Sequence, residues 1–246
     1  MITKNRIEGY VFDDQTHKAL FKLSSNKIFD SIDFPIASGK EAITFYGHLQ
    51  DTPLVAKIYK METSNFKNLD KYIDGDYRFK NASKEKRDLF LVWANKEFKN
   101  LTLALKHGVS CPIVIGKEKN IIIMSFIGEN QKAYPKLNEV DFDLDVVYPQ
   151  IVDNYAKLLY GAKLVHADFS AFNILINPND QKITIIDMGQ AVVWSHPKAQ
   201  EFLKRDIINI IDFLKKKFKK LEITYDFFLE DLKKKKEEIY GRDNKS

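Results

Sequence analysis

Two short segments of the sequence carry side chains that together suit phosphoryl transfer. The first, HADFSAFNIL, spans residues 166–175, and the second, IIDMGQAV, spans residues 185–192. Asp168 could orient an attacking hydroxyl, while Asn173 and Asp187 offer hard oxygen ligands for a divalent cation bound to nucleotide phosphates. Short apolar runs precede both segments, so we expect strands that hold these side chains on neighbouring loops.

The spacing within the first segment matches that of a protein-kinase catalytic loop. Asp168 and Asn173 fit the pattern Asp-x-x-x-x-Asn, and Ala167 stands where an arginine usually precedes the aspartate. We therefore expect Asp168 to be the base that orients the hydroxyl, and Asn173 and Asp187 to bind the metal. His166 is expected to brace the loop rather than to transfer protons.

A lysine and a glutamate upstream fit the same chemistry. Lys57 lies in LVAKIYK, which resembles the kinase strand whose ammonium group binds nucleotide phosphates. Strand alternation places Val55, Lys57 and Tyr59 on one face. Glu97 falls on the apolar stripe of a helix predicted from about residue 84 to 107, where a carboxylate needs a cationic partner. We therefore predict a pair between Lys57 and Glu97 that holds the lysine near the phosphates.

Two further segments are candidates for nucleotide binding. The loop SGKEA (38–42) contains Ser38, Gly39 and Lys40, and its backbone N–H groups could form an anion-binding nest for phosphates. It lacks the G-x-G-x-x-G pattern, and a simple hairpin turn is the alternative. The apolar segment IIIMSFIGE (121–129) reads as a strand that ends in a connector. In a two-lobed kinase, backbone groups at such a connector, here those of Ser125 and Ile127, would meet the adenine edge.

The order of predicted elements indicates an α+β fold with two lobes. Strands are predicted at 32–36, 42–49, 54–59, 113–115 and 121–125, with a turn at 50–53, and helices at about 84–107, 143–160 and 199–240. We divide the chain into an N-terminal extension (1–27), an N-lobe (28–126) and a C-lobe with a lysine-rich helical tail (127–246). The polar stretch 62–84 is expected to be a mobile loop or a loosely held helix.

Composition narrows the setting in which the protein works. Cys111 is the single cysteine and can form no internal disulfide, which fits a reduced compartment. No apolar run approaches the roughly 18 residues of a membrane span, and no secretory signal is evident at the N-terminus, so we expect a cytoplasmic protein without a membrane partner. The net charge is +5, with lysine clusters at 215–220 and 233–236. These clusters could be solvated helix faces or could attract a phosphate backbone.

Taken in order, the motifs resemble those of the RIO family of atypical serine/threonine kinases. The resemblance extends from about residue 30 to about 215 and is carried by SGKEA, VAKIYKMETSNFKN (55–68), GDYRF (75–79), LVHADFSAFNIL and IDMGQAV. IDMGQ replaces the kinase DFG motif, and this departure, like Ala167, is typical of the family. The type-one branch fits best, because the type-two branch carries a winged-helix domain and only about 30 residues precede the first predicted strand.

The resemblance implies a protein-kinase-like fold trimmed of the usual activation loop and peptide-docking helices. It implies ATP and Mg²⁺, with Mn²⁺ as an alternative metal, and an unknown protein substrate. It also implies action in small ribosomal subunit maturation, with the subunit precursor or its RNA as partner. In this family the aspartate matching Asp187 is described as a phosphate acceptor, so Asp187 would be both metal ligand and acceptor. Ser64 and Ser83 are candidate autophosphorylation sites, because 62–84 matches the family's flexible loop.

Two other classes of function remain open from the sequence. A small-molecule phosphotransferase of the aminoglycoside or choline type shares the H-x-D-x₄-N loop, but it needs an acidic acceptor pocket on a larger helical lobe. A close variant, the small archaeal kinase of the tRNA-modification complex, typically has Gly where Ala167 stands. The lysine-rich segments would also suit a nucleotide-gated RNA- or ribosome-binding module.

Overall fold

The computed structural model describes residues 13–60, 70–79 and 88–241, which divide into a strand-rich unit and a helix-rich unit. The first unit contains the described residues up to Thr102 together with Pro112–Ala133. The second contains Leu103–Cys111 and the described residues from Tyr134 onward. The α+β class expected from the sequence is therefore confirmed.

A five-stranded antiparallel sheet forms the centre of the first unit. Its strands are β1 (Ser31–Ser38), β2 (Ala42–Leu49), β3 (Thr52–Tyr59), β4 (Val114–Glu118) and β5 (Ile121–Ser125), in the spatial order β1-β2-β3-β5-β4. A small hairpin of β6 (Gly128–Glu129) and β7 (Lys132–Ala133) follows the sheet. The turn predicted at 50–53 is tighter than expected, because Leu49 pairs directly with Thr52 and Gln50 has a φ of 52°.

Helix α1 (Asp14–Ser25), which was not expected from the sequence, covers one face of this sheet. Its residues Ala19, Leu20 and Leu23 are buried against a strand surface that includes Ala56 and Ile58. The side chain of Asp13 caps the helix by accepting a hydrogen bond of 2.8 Å from the Thr16 amide. The apolar spacing of i, i+1 and i+4 is helical, so the signal was present in the segment that we assigned to an extension.

Three further helical segments of this region follow the sheet's first three strands. They are α2 (Asp70–Ile73), a 3₁₀ turn (Tyr77–Phe79) and α3 (Leu89–Lys106). Tyr72 and Phe79 are buried, and the ring centroids of Tyr72 and Trp93 lie 6.0 Å apart. The loose packing expected for 62–84 is therefore wrong for its described part, 70–79, because aromatic side chains anchor it. Ser64 and Ser83 lie outside the described residues.

Three helices dominate the second unit. Helix α4 (Leu144–Ala156) continues into a π-helical turn (Lys157–Gly161), and α5 (Ala199–Lys217) and α6 (Tyr225–Tyr240) follow later in the chain. The helical region predicted at 199–240 is thus two helices. Helix α6 packs on α4 through its buried Phe228, and the Tyr148 hydroxyl donates to Asp231 at 2.9 Å. No helix within the described ranges is long and apolar enough to cross a membrane.

Two short antiparallel ladders lie among these helices. Strand β8 (Leu164–Val165) pairs with β11 (Val192–Val193), and β9 (Ile174–Ile176) pairs with β10 (Ile183–Ile185). All four strands are built from Leu, Ile and Val, apart from Thr184, and are almost entirely buried. The loops that leave them carry the side chains singled out from the sequence.

Candidate functional site

The ion pair predicted between Lys57 and Glu97 is present in the first unit. Lys57 Nζ lies 2.9 Å from Glu97 Oε1, and the side chain of Glu97 is only 2% exposed. The buried Tyr59 hydroxyl donates to the other carboxylate oxygen, Oε2. Lys57 and Tyr59 share a face of β3, as strand alternation predicted, and Ala56 points into the cluster under α1. The pair fixes the direction of the lysine ammonium.

The 38–42 segment forms the turn between β1 and β2. The Gly39 amide donates to Ala42 O at 2.9 Å, and Lys60 Nζ donates to Gly39 O at 2.7 Å. The Gly39 N–H is therefore used inside the turn, which removes one donor from the predicted anion-binding nest. Ser38 and Lys40 are exposed on the same hairpin. Their role toward a nucleotide stays a prediction.

Ser125 and Ile127 lie where strand β5 gives way to the connector. The Ser125 amide donates to Ile113 O at 2.8 Å, and its hydroxyl accepts from the Ile113 amide at 2.9 Å. The Ser125 N–H is thus already bonded to the neighbouring chain segment. Ile127 is half-buried in the connector itself. Contact of either residue with adenine stays a prediction.

Asp168, Asn173 and Asp187 are brought together in the second unit by the two ladders. Asp168 follows β8, Asn173 directly precedes β9, and Asp187 follows β10. The Ile186 amide donates to Asn173 O at 2.9 Å, which ties the loop of Asp187 to that of Asn173. His166 Nε2 lies 3.3 Å from Ile186 O, a contact that suits the bracing role expected for this ring.

Two opposing sets of interactions act on the pKa of the Asp168 carboxyl group. Partial burial, together with the negative charge of Asp187, raises its pKa above the ordinary value. Hydrogen bonding from Asn173 and the positive charge of Arg205 act in the opposite direction. Asn173 Nδ2 lies 2.9 Å from Asp168 O and 3.1 Å from Asp168 Oδ2. The Asp168 carboxylate is therefore hydrogen-bonded in place, remains partly accessible to solvent and has a raised pKa.

The residues at this point fit a divalent cation. The side-chain Nδ2 atom of Asn173 faces Asp168, so the Oδ1 atom of Asn173 is left as a possible metal ligand. The exposed Asp187 carries a second hard oxygen group. Asp187 and Asp168 are close enough for their charges to repel, which a cation would relieve. No group of three or more His, Cys, Asp or Glu arranged for a metal occurs in the described parts of the chain.

Helix α5 holds the segment 166–169 through contacts that were not expected from the sequence. The Asp206 carboxylate accepts from the amides of Ala167 at 2.8 Å and Phe169 at 3.0 Å, and from the Tyr155 hydroxyl at 2.8 Å. Arg205 donates to Ala167 O. Ala167 has a φ of 63°, an unfavourable conformation for alanine, so these contacts hold the strained residue that precedes Asp168.

A signal for these contacts existed in the sequence. Asp206 is fully buried on a helix stripe formed by Phe202, Leu203, Ile207 and Ile210. A carboxylate on an apolar stripe requires partners, which is the reasoning that identified Glu97. Burial raises the pKa of Asp206 to about 6, although the hydrogen bonds from Phe169, Tyr155 and Ala167 oppose the rise.

The antiparallel sheet with its Lys–Glu pair and the looped Asp, Asn and Asp define a protein-kinase-like fold. A crystal structure of the Rio2 kinase from Chaetomium thermophilum, as a complex with ADP, Mg²⁺ and phosphoaspartate, matches with a TM-score of 0.71. The match covers 95% of this chain and 68% of that chain at 24% identity. The RIO domain model matches residues 42–227, and the chain belongs to the RIO family.

Curated relatives carry the same family name. Serine/threonine-protein kinase RIO3 of Caenorhabditis elegans is 39% identical over 82% of this chain, which spans 40% of that protein's length. RIO-type serine/threonine-protein kinase Rio1 of Haloferax volcanii is 35% identical over 86% of this chain and 72% of its own. Rio1 of Thermoplasma acidophilum is 38% identical over 74% of this chain and 94% of its own. The family resemblance seen in the motifs is confirmed.

Proposed function

We propose that this chain is an ATP- and Mg²⁺-dependent serine/threonine-protein kinase and ATPase of the RIO type. The observation that carries the proposal is the grouping of Asp168, Asn173 and Asp187. Asn173 Nδ2 donates to Asp168 Oδ2 at 3.1 Å, and the carboxylate of Asp187 is close enough to raise the pKa of Asp168. This is the set that orients an acceptor and binds metal on a nucleotide. Membership of the RIO family favours this activity over a small-molecule phosphotransferase.

Each side chain has a defined task in transfer to a hydroxyl. Asp168 accepts the proton as the acceptor oxygen bonds to the γ-phosphorus and the bond to the ADP oxygen breaks. Lys57, fixed by Glu97, binds the phosphates. Asn173 and Asp187 would hold Mg²⁺, or Mn²⁺ in its place, and the bound metal would neutralise charge on the phosphates. The exposed Ser38 and Lys40 lie on the hairpin proposed to cover the nucleotide.

Asp187 has a second proposed task, as a transient phosphate acceptor. One of its carboxylate oxygens would bond to the γ-phosphorus as ADP leaves, and water would then hydrolyse the acyl phosphate. Asp187 is exposed, so its carboxylate is accessible. The Rio2 structure from Chaetomium thermophilum contains phosphoaspartate, which supports the same chemistry here.

Two substitutions test these tasks separately. Asp168→Asn should bind ATP with unchanged affinity but should lose acid-stable transfer to serine or threonine by a factor on the order of 10²–10⁴. Asp187→Asn should abolish any hydroxylamine-sensitive phosphoprotein, because the acyl phosphate has no acceptor. The measurements are calorimetric ATP binding and labelling with ATP that is radioactive in the γ-phosphate. Undiminished transfer by Asp168→Asn would refute the assignment of Asp168 as the base. An acyl phosphate that persists in Asp187→Asn would show that another residue is the acceptor.

A second function, binding to small ribosomal subunit precursors or their RNA in the cytoplasm, is favoured by one surface. Within the described chain, Lys215, Lys216, Lys219 and Lys220 are exposed and form no ion pair. By contrast, in the 233–236 cluster Lys234 pairs with Asp231 and Lys235 with Glu238. The first cluster, which we call the α5-end lysines, is therefore the one suited to phosphate groups.

A further inference from the structure

The two oxygens of the Asp168 carboxylate have unequal surroundings. Oδ2 accepts from Asn173 Nδ2 at 3.1 Å and from Gln190 Nε2, also at 3.1 Å. Oδ1 accepts no hydrogen bond from any residue that the structure describes. Rotation about the last bond of an aspartate side chain is soft, so a carboxylate without fixed partners samples many orientations. Two amide donors on one oxygen hold the plane of the group and leave the other oxygen for a substrate.

The backbone fixes Gln190 in the position from which it reaches Asp168. Val192 of β11 pairs with Val165 of β8, so the two loops run side by side. Next to Gln190, Ala191 is fully buried, and its amide donates to Met188 O at 3.2 Å. Gln190 is therefore held by the short ladder and by a buried turn, whereas its side chain remains half-exposed.

The side chains of Gln190 and Asn173 differ in the number of partners that they serve. Under the proposed function Asn173 must also offer its Oδ1 atom to the metal, so its orientation serves two partners. In contrast, among the residues that the structure describes, the Gln190 side chain hydrogen-bonds to Asp168 alone. A donor with a single task can hold the carboxylate whether or not the metal is bound.

We propose that Gln190 is a positioning residue that, with Asn173, clamps Oδ2 of Asp168 and thereby aims Oδ1 at the acceptor hydroxyl. This inference rests on the proposed kinase function. In this role Gln190 acts on the orientation of the Asp168 carboxylate, so its loss should affect the rate of transfer and not the affinity for ATP. Its loss should lower the rate of transfer to a hydroxyl, because misplacement of a reacting group by about 1 Å can cost on the order of 100-fold.

The test compares three variants of Gln190 with a matched control. Gln190→Met keeps the length of the side chain and removes the donor, and Gln190→Glu replaces the donor with a carboxylate. Gln190→Lys returns an N–H donor. Gln200→Met, on the exposed first turn of α5, is the control for the same chemical change. Single-turnover transfer of radioactive γ-phosphate to serine and threonine is measured together with the ATP dissociation constant and the melting temperature.

We expect Gln190→Met and Gln190→Glu to slow acid-stable transfer by about 10- to 100-fold with an ATP dissociation constant within about twofold of wild type. Gln190→Lys should recover part of the rate, and Gln200→Met should match wild type. A Gln190→Met rate equal to that of Gln200→Met would overturn the inference. So would equal losses of rate, ATP affinity and melting temperature, which would indicate a merely structural role.

A structural measurement separates failure of this inference from failure of the proposed function. If wild type and Asp168→Asn are equally inactive, the kinase proposal fails. The crystal structure of Gln190→Met then tests whether Gln190 fixes the orientation of the Asp168 carboxylate. A rotated Asp168 carboxylate supports it, and an unchanged carboxylate overturns it.

Discussion

At the scale of single residues, two buried carboxylates on apolar helix stripes organise the two units. Glu97 of α3 receives the Lys57 ammonium and the Tyr59 hydroxyl. Asp206 of α5 receives two backbone amides and the Tyr155 hydroxyl. Burying a charge is costly unless partners compensate it, so each carboxylate stabilises its surroundings only while its partners are present.

Glu97→Gln should weaken ATP binding and lower the free energy of unfolding by about 1–3 kcal/mol. The amide keeps the size of the side chain but loses the charge that holds Lys57, so the ammonium is no longer fixed. Urea unfolding and ATP calorimetry measure the two effects. In a double-mutant cycle, the combination with Lys57→Met should cost less than the sum of the single changes.

The control for this cycle is Glu118→Gln, which removes the surface ion pair between Lys22 and Glu118. The Lys22 side chain is 61% exposed, so this pair should contribute less than about 1 kcal/mol. Additive costs for Lys57→Met and Glu97→Gln would show that the buried pair is no stronger than the surface one.

The raised pKa of Asp206 predicts that the stability of the folded protein depends on pH. Its pKa is raised from 3.8 to about 6 in the folded protein, so the folded state binds the proton more tightly than the unfolded state. The contribution of Asp206 to stability is thus fully present below about pH 4 and is lost as the pH rises through 6. The wild-type free energy of unfolding minus that of Asp206→Asn should fall by about 2 kcal/mol between pH 4 and 7.

Urea unfolding of both proteins over that pH range measures this difference, and other titrating groups cancel in it. Asp206→Asn should also reduce turnover at pH 7, because an amide oxygen cannot replace both carboxylate oxygens that hold Ala167 and Phe169. A difference that is constant with pH would contradict the raised pKa.

At the scale of elements, α1 belongs to the core of the first unit. Leu23→Ala should lower the free energy of unfolding by about 2–5 kcal/mol, because Leu23 is 4% exposed within the cluster on the sheet. Phe21→Ala, on the same helix but 76% exposed, is the matched control and should cost less than about 0.5 kcal/mol. Urea unfolding distinguishes them, and equal losses would mean that α1 does not pack as described.

At the scale of the whole molecule, the net charge of +5 is less informative than its distribution. Replacing the α5-end lysines (215, 216, 219 and 220) by Gln should weaken co-sedimentation with small ribosomal subunits and reduce its salt dependence. Each lost phosphate contact lowers the salt slope by roughly 0.7 to 0.9. The control replaces 233–236 by Gln and removes the same charge. Equal effects of both variants would show that net charge, rather than this surface, governs binding.

The candidate site residues and most of the strands and helices around them could be predicted from the sequence. The periods of strands and helices and the spacing of Asp168 and Asn173 are local, so they can be read from one chain. The partnership of Lys57 with Glu97 followed from the same patterns, because a carboxylate on an apolar stripe needs a cation. The strands at 42–49 and 121–125 and this ion pair were confirmed, whereas the strand predicted at 113–115 extends to Glu118 and the functional roles stay predictions.

The contacts that hold the loop of Asp168 became evident only in the folded chain. Asp206 reaches Ala167 across 39 positions of sequence, and Gln190 reaches Asp168 across 22. The structure also showed that α1 packs on the sheet and that the Gly39 amide is used inside its own turn. A carboxylate on an apolar helix stripe indicates that a partner is needed, but the sequence does not identify the backbone amides or the distant side chain that provide it. These partners depend on which surfaces meet when the helices and ladders pack, and only the packed structure fixes that.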